Sequence, residues 1–282
     1  MPGGHEHRRP LPLVIGLHAN GDEGSDMEAR FGEAVRDGMS SAVLSIFPDG
    51  TFDAARGGRF WDATGACCRF GAARPIPDDV SWLSALISEA VDSYGADADG
   101  VIVFGLSNGG FMAHRMACAS LRPLRAIVAL SSATHLDFAR SCQGAATNPS
   151  VLHAHAYNDN TVPYHGGPAP FLGTGVVIPS ALTTVRDWVD RLGCNPSAAF
   201  SSGETMGLGA VTDVLDYRAC RGGRKVVHWA FHSASHGMEF LDVRAFVEHA
   251  IVGFGLRGFV RDSDGDGYRD DVDARPFDSG RW

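Results

Sequence analysis

The run V-I-V-F-G-L-S-N-G-G-F-M-A-H-R at 101–115 decides how the chain is read. Residues 101–105 are short, apolar and β-branched, the pattern of a strand covered on both faces. Residues 107–121 read as a helix. Between them, Gly105-Leu106-Ser107-Asn108-Gly109 forms G-x-S-x-G in the strand–turn–helix setting of a nucleophile elbow. So tight a turn pushes the serine into a strained backbone conformation and lifts its Oγ above the sheet. Gly105 and Gly109 carry no Cβ, which lets strand and helix approach there. The helix N-terminus directs free N–H groups toward developing negative charge. The backbone N–H of Asn108 is therefore a candidate oxyanion donor. With 35 glycines in the chain, the bare pentapeptide means little, and the flanking strand and helix carry the weight.

Working outward, apolar periodicity predicts strands over 11–17, 41–47, 126–130, 151–156, 211–217 and 225–230. Helices are predicted over 27–37, 79–94, 179–192 and 238–252. Two aperiodic stretches, 51–77 and 160–178, read as long functional loops. The alternation of strands and helices argues an α/β fold, a mostly parallel sheet with helices on both faces. Residues 1–257 read as the catalytic domain and 258–282 as an acidic, glycine-rich tail.

Acidic side chains number 33 against 24 basic, so the formal charge is −9. Without a basic stripe, neither nucleic acid nor an anionic membrane is an expected partner. No apolar run approaches the ~20 residues that span a bilayer. Met1 to Pro10 is polar, so no signal peptide is read in the chain. A monomer is expected.

A serine hydroxyl is a poor nucleophile until a base and an orienting acid stand behind it. In this architecture the chain order is Ser, then Asp or Glu, then His. Asp159 is the only carboxylate in Y-N-D-N-T-V-P-Y at 157–164, directly after the 151–156 strand. Its task would be to hold the histidine's tautomer and stabilise the imidazolium. Two histidines suit the base, His232 and His236 in H-S-A-S-H-G at 232–237, and loop placement favours His236. The second oxyanion donor is expected in H-A-N-G at 18–21, from the backbone N–H of Ala19 or Asn20, with His18 packing beneath. Trp61 in F-W-D-A-T offers a large face for an aromatic acyl group or a polymer chain, with a core role as the alternative. Phe60, Tyr164 and Phe171 are further candidates for substrate contact.

L-P-L-V-I-G-L-H-A-N-G, F-W-D-A-T-G-A-C-C, D-D-V-S-W-L, G-L-S-N-G-G-F-M-A-H-R-M-A-C, N-D-N-T-V-P-Y and S-H-G together resemble the extracellular polyhydroxybutyrate depolymerase and feruloyl esterase family of α/β-hydrolases. The resemblance runs from about Leu11 to Leu256. It implies a secreted serine esterase with no metal or other cofactor in catalysis, and it carries over Ser107, Asp159 and His236 as the triad. The chain departs from the family in having His18-Ala19 where His-Gly is usual, and Met238-Glu239 where Trp-Pro often follows the histidine. Only about ten polar residues precede the first strand, so the usual N-terminal antiparallel strands are expected to be missing and that edge of the sheet shortened.

In the tail, D-S-D-G-D-G-Y-R-D-D-V-D at 262–273 spaces its oxygens as a calcium loop does, with Gly267 at the sharp turn. Asp262, Asp264, Asp266, the Tyr268 carbonyl, Asp270 and Asp273 are the expected ligands of one structural calcium ion. Asp at the twelfth position departs from an EF-hand, and the segment resembles a thrombospondin type 3 repeat. Millimolar calcium is an extracellular condition, which supports export and disulfides. Element positions then pair Cys194 with Cys220 and Cys118 with Cys142, leaving Cys67 and Cys68 as a vicinal disulfide or free thiols. The expected activity is hydrolysis of polyester or aromatic esters: polyhydroxybutyrate-type oligomers, feruloyl esters or synthetic polyesters. An acyltransferase with the same triad, or a non-catalytic adhesion protein, are the alternatives.

Overall fold

The computed structural model describes residues 10–38, 43–65, 67–68, 76–145, 147–170, 172, 175–203, 207–233, 235–239 and 241–256. The tail with its expected calcium ligands, and Phe171, lie outside the described residues.

In chain order the strands are β1 (Leu11–Leu17), β2 (Leu44–Ile46), β3 (Thr51–Asp53), β4 (Gly58–Phe60), β5 (Ala96–Leu106), β6 (Ala126–Leu130), β7 (Ser150–Ala156), β8 (Gly167–Pro168), β9 (Val177–Ile178), β10 (Ala199–Gly203), β11 (Thr212–Tyr217) and β12 (Val226–Phe231). Eight of them form one sheet in the order β10-β11-β12-β7-β6-β5-β1-β2. From β2 to β12 every pairing is parallel, and β11 and β10 add an antiparallel edge. This is an α/β-hydrolase fold.

The central strands are apolar on both faces because helices cover both. Alternate residues of β5 divide accordingly. Val101 and Val103 pack with helices Asp79–Tyr94, Asn108–Ala119 and Ala181–Leu192, while Ile102 and Phe104 pack with the segments 24–38 and 243–256. Side-chain caps start three of these helices: Asp78 accepts from the Ser81 N–H, Ser180 from Thr183 and Asp242 from Ala245. The last helix begins at Val243, later than its apolar periodicity suggests, because the preceding loop holds Met238 at φ 54°.

Three further differences from the sequence reading stand out. The first long loop contains the hairpin β3–β4, joined to the main fold by a hydrogen bond from the Gly21 N–H to the Arg59 carbonyl. The edge strand β10 escapes the apolar pattern because Ala199 to Ser202 are exposed. A short helix, Phe138–Ser141, follows β6. Among the described residues the opposite edge of the sheet ends at β2. Disulfides form as Cys67–Cys68, Cys118–Cys142 and Cys194–Cys220. The second closes the end of the Asn108–Ala119 helix onto Phe138–Ser141, and the third joins the end of Ala181–Leu192 to the segment after β11.

Candidate active site

Ser107 stands between β5 and the helix Asn108–Ala119 at φ 53° and ψ −117°. That left-handed backbone is strained for a residue with a Cβ and survives only because its surroundings impose it. The glycines show how. A Cβ on Gly105 would lie 2.4 Å from the Gly109 carbonyl, and one on Gly109 would lie 2.1 Å from the Leu17 carbonyl oxygen. Strand and helix cross too closely there for any other residue. Ser107 also donates its N–H to the Leu130 carbonyl at the end of β6, which ties the turn to the sheet.

His236 lies in the loop after β12. Its Nε2 is 2.8 Å from Ser107 Oγ and its Nδ1 is 2.8 Å from Asp159 Oδ2. The carboxylate only accepts, so Nδ1 carries the proton and Nε2 is free to accept the serine hydroxyl. Asp159 is wholly buried at its side chain. Its other oxygen accepts the N–H groups of Thr161 (2.9 Å) and Val162 (2.8 Å). Burial pushes its pKa up, but hydrogen bonds from His155 and His236 outweigh that, and the carboxyl is held well below its ordinary range.

The loop carrying His236 is anchored from both sides. Ser131, itself at φ 47°, donates its hydroxyl to the His236 carbonyl (2.8 Å). Arg30, from the helical segment 24–38, donates to the carbonyls of Gly237 and Met238 (2.9 and 2.5 Å). The other loop histidine is not brought to the serine. His232 pairs with Asp213 at 3.0 Å, and Tyr157 donates its hydroxyl to the same carboxylate.

Asn108 opens the helix, where N–H groups lack an intrahelical carbonyl. Its side chain takes a separate task. Oδ1 accepts the Trp61 N–H (2.7 Å) and Nδ2 donates to the Trp61 carbonyl (2.9 Å), which seats the 61–68 loop on the helix. Arg115 holds the same loop through the carbonyls of Asp62 and Ala63. On the far side, His18 Nδ1 donates to the Ala19 carbonyl (2.7 Å) while Nε2 accepts the Gly50 N–H (2.9 Å). Burial lowers the His18 pKa, so the ring is a neutral pin under the 18–21 loop. Because the peptide is planar and trans, holding the Ala19 carbonyl aims the Asn20 N–H the opposite way.

Trp61 is corrected by the structure. Its side chain is completely buried, with Nε1–H donating to the His18 carbonyl (3.2 Å) and its ring against His18 and Trp82. An indole with no exposed face cannot stack on substrate, and the half-exposed aromatic beside it is Trp82. Tyr164 is likewise a core residue, 4 % exposed, donating its hydroxyl to His228 (2.8 Å). Phe60 is largely buried but borders a cavity of about 310 Å³ together with Asn20, Gly21, Arg56 and Arg59. Among the described residues no group of histidine, cysteine or acidic side chains is arranged to hold a metal. No helix among them is long and apolar enough to cross a membrane.

The segment that carries Ser107 and Asp159 has relatives among known proteins. Residues 6–169 match the Phospholipase/Carboxylesterase family. The chain belongs to that family. Its curated relatives include Feruloyl esterase C of Emericella nidulans, 24 % identical over 203 residues, covering 70 % of this chain and 62 % of that protein. Feruloyl esterase D of Neurospora crassa is 26 % identical over 168 residues, covering 59 % and 50 %. The chain thus spans about half to three-fifths of the length of these relatives. An acetyl xylan esterase from Aspergillus awamori superposes with a TM-score of 0.55 at 14 % identity, over 80 % of this chain and 84 % of that one. A variant of SOBER1 from Arabidopsis thaliana superposes at 0.52 and 16 %, over 86 % and 97 %. At these identities the structures speak for the fold alone.

Within this family member, Ser131, Arg30 and the Asn108 amide are site-building residues that sequence reading passed over. Ser131 and Arg30 lie outside any motif, Asn108 fills a variable position of G-x-S-x-G, and each acts across a long sequence separation.

Proposed function

We propose that the protein is a secreted serine carboxylic-ester hydrolase in which Ser107, His236 and Asp159 carry the reaction. The observation behind this reading is His236 held between the Ser107 hydroxyl and the buried Asp159 carboxylate, 2.8 Å from each. Ser107 Oγ attacks the ester carbonyl as His236 Nε2 takes its proton. The tetrahedral oxyanion is received by the Asn108 N–H and a second N–H from Ala19 or Asn20. Collapse expels the alcohol, which His236 protonates. Water activated by the same imidazole then releases the acid and frees Ser107.

Aromatic esters of the feruloyl kind are the favoured substrates, because proteins named feruloyl esterases are among the curated relatives. Polyhydroxybutyrate-type and synthetic polyesters are the competing class. Steady-state rates on methyl ferulate, hydroxybutyrate oligomers and p-nitrophenyl butyrate decide between them. A kcat/KM on methyl ferulate below that on the oligomers overturns the aromatic assignment. Adding an alcohol acceptor separates hydrolysis from acyl transfer. Three disulfides suit an oxidising compartment, which supports secretion. The Asp262–Asp273 spacing supports a structural calcium ion in the tail, which titration calorimetry at millimolar calcium tests.

A further inference from the structure

Four histidines that the reaction above does not use, His114, His153, His155 and His228, are each at most 2 % exposed. His153 and His155 are two apart on β7 and share its face, and β12 places His228 directly beside His153. The rings are in contact: His153 lies 5.4 Å from His155, 5.4 Å from His228 and 5.6 Å from His114.

Their partners assign the protons. His155 Nε2 lies 2.8 Å from the Val162 carbonyl and 3.2 Å from Asp159 Oδ2. Both are acceptors, so the proton is on Nε2. That leaves His155 Nδ1 to accept from His153 Nε2, 3.4 Å away. His153 Nδ1 is then a bare acceptor, and it is buried without a partner. At the other end, Trp188 can only donate, and it donates to His114 Nδ1 at 3.0 Å. The His114 proton is therefore on Nε2, which is also buried without a partner. The two orphaned nitrogens are a donor and an acceptor, complementary in sense, on rings whose centroids lie 5.6 Å apart. His228 stands aside, donating Nδ1–H to the His153 carbonyl (2.9 Å) and accepting from Tyr164. Burial holds His153 and His228 well below the ordinary histidine range, His228 at about 4, and pushes His114 down to about 3. His114, His153 and His228 are therefore uncharged at neutral pH, so they can orient protons but do not donate charge.

We infer that His155 is a positioning residue for the ester-hydrolysing site, holding the Asp159 carboxylate with its Nε2–H, and that the row through His153 to His114 keeps it in that tautomer. The proposal rests on the function assigned above. Asp159 Oδ2 is the oxygen that orients His236, and His155 is its second donor. With both oxygens engaged, the carboxylate can neither rotate away from His236 nor draw back its charge. The groups facing His155 are His153, Asp159, Tyr164 and the Val162 carbonyl.

The test compares His155→Gln, whose amide N–H can reach where Nε2–H stood, with His155→Leu, which has no donor. Leu is expected to lower kcat by about 10- to 100-fold with little change in KM, as misplacement of a reacting group does. Gln is expected to recover most of that loss. With one donor gone from Oδ2, the carboxylate favours the imidazolium more strongly. The acidic limb of kcat/KM therefore moves to higher pH in the Leu variant. Parent-like kcat in the Leu variant overturns the proposal. So does an equal loss in both variants with an unmoved pH limb, since that is mere packing. Nitrogen NMR of the unaltered protein, labelled at histidine, tests it without relying on variant folding. His155 and His153 should be protonated at Nε2 and His228 at Nδ1, and a His155 protonated at Nδ1 refutes the assignment. Activity that survives in Ser107→Ala is a separate failure, of the underlying function rather than of His155.

Discussion

The rim of the site and the layer beneath it use the same residue types to opposite ends. On the rim, His236 keeps 22 % of its side chain exposed and touches the Ser107 hydroxyl. In the layer below, His18, Trp61, His153 and their neighbours are sealed from water and bonded to backbone or to one another. A histidine that must gain and lose a proton needs access to water and a carboxylate behind it, and a sealed histidine is held neutral by the cost of burying charge. The difference teaches that residue type alone does not assign a role here. Substitutions on the rim should remove rate and leave stability, and substitutions in the layer should do the reverse, His155 beside Asp159 excepted.

The sharpest break of that contrast is Ser107→Ala. We expect turnover of p-nitrophenyl butyrate to fall by about 10⁴-fold or more, with the circular dichroism spectrum and melting temperature close to the parent's. Near-parent turnover would remove Ser107 from the rim chemistry. Asp159→Asn should follow with a loss of about 10³- to 10⁴-fold in kcat, because an amide no longer selects the Nδ1–H tautomer of His236. It should also cost stability, since the site is built for a charged acceptor of four donors.

Trp61→Ala probes the layer. Emptying a fully buried indole should destabilise the fold by about 3–5 kcal/mol in urea titrations. In the protein that remains folded, KM for aromatic esters should change little, and a large rise in KM would return Trp61 to the substrate face.

Residue by residue, the smallest effect concerns pH. His114, His153 and His228 have folded pKa values below the unfolded value near 6.5. Below about pH 6.5 the unfolded chain binds protons that the folded chain refuses, so stability falls as pH falls. The stabilisation is complete above that pH and is lost progressively toward about 4 for His228. At pH 5 His114 and His228 each cost about 2 kcal/mol. Urea midpoints measured at pH 7.5 and 5.0 check it, and an unchanged midpoint would mean the layer is hydrated rather than sealed.

Much of this site was legible without a structure, for a local reason. The elbow needs glycines at its two crossing points and a serine between them, and that requirement is written within five residues. Parallel order, the acid after the 151–156 strand and the cysteine pairs at element ends follow from the alternation of apolar runs. What stayed hidden depends on distance between remote segments. His232 and His236 are four residues apart in one loop, and only the folded chain gives His236 to a serine 129 positions away and His232 to Asp213. The H-A-H-A run at 153–156 reads as two polar residues in a buried strand until β12 and the helices on that face enclose it. Trp61 could be read as an open platform or as a core residue for the same reason. Burial and proton placement are set by which surfaces pack together, and packing is a property of the assembled sheet and its helices rather than of any stretch of chain.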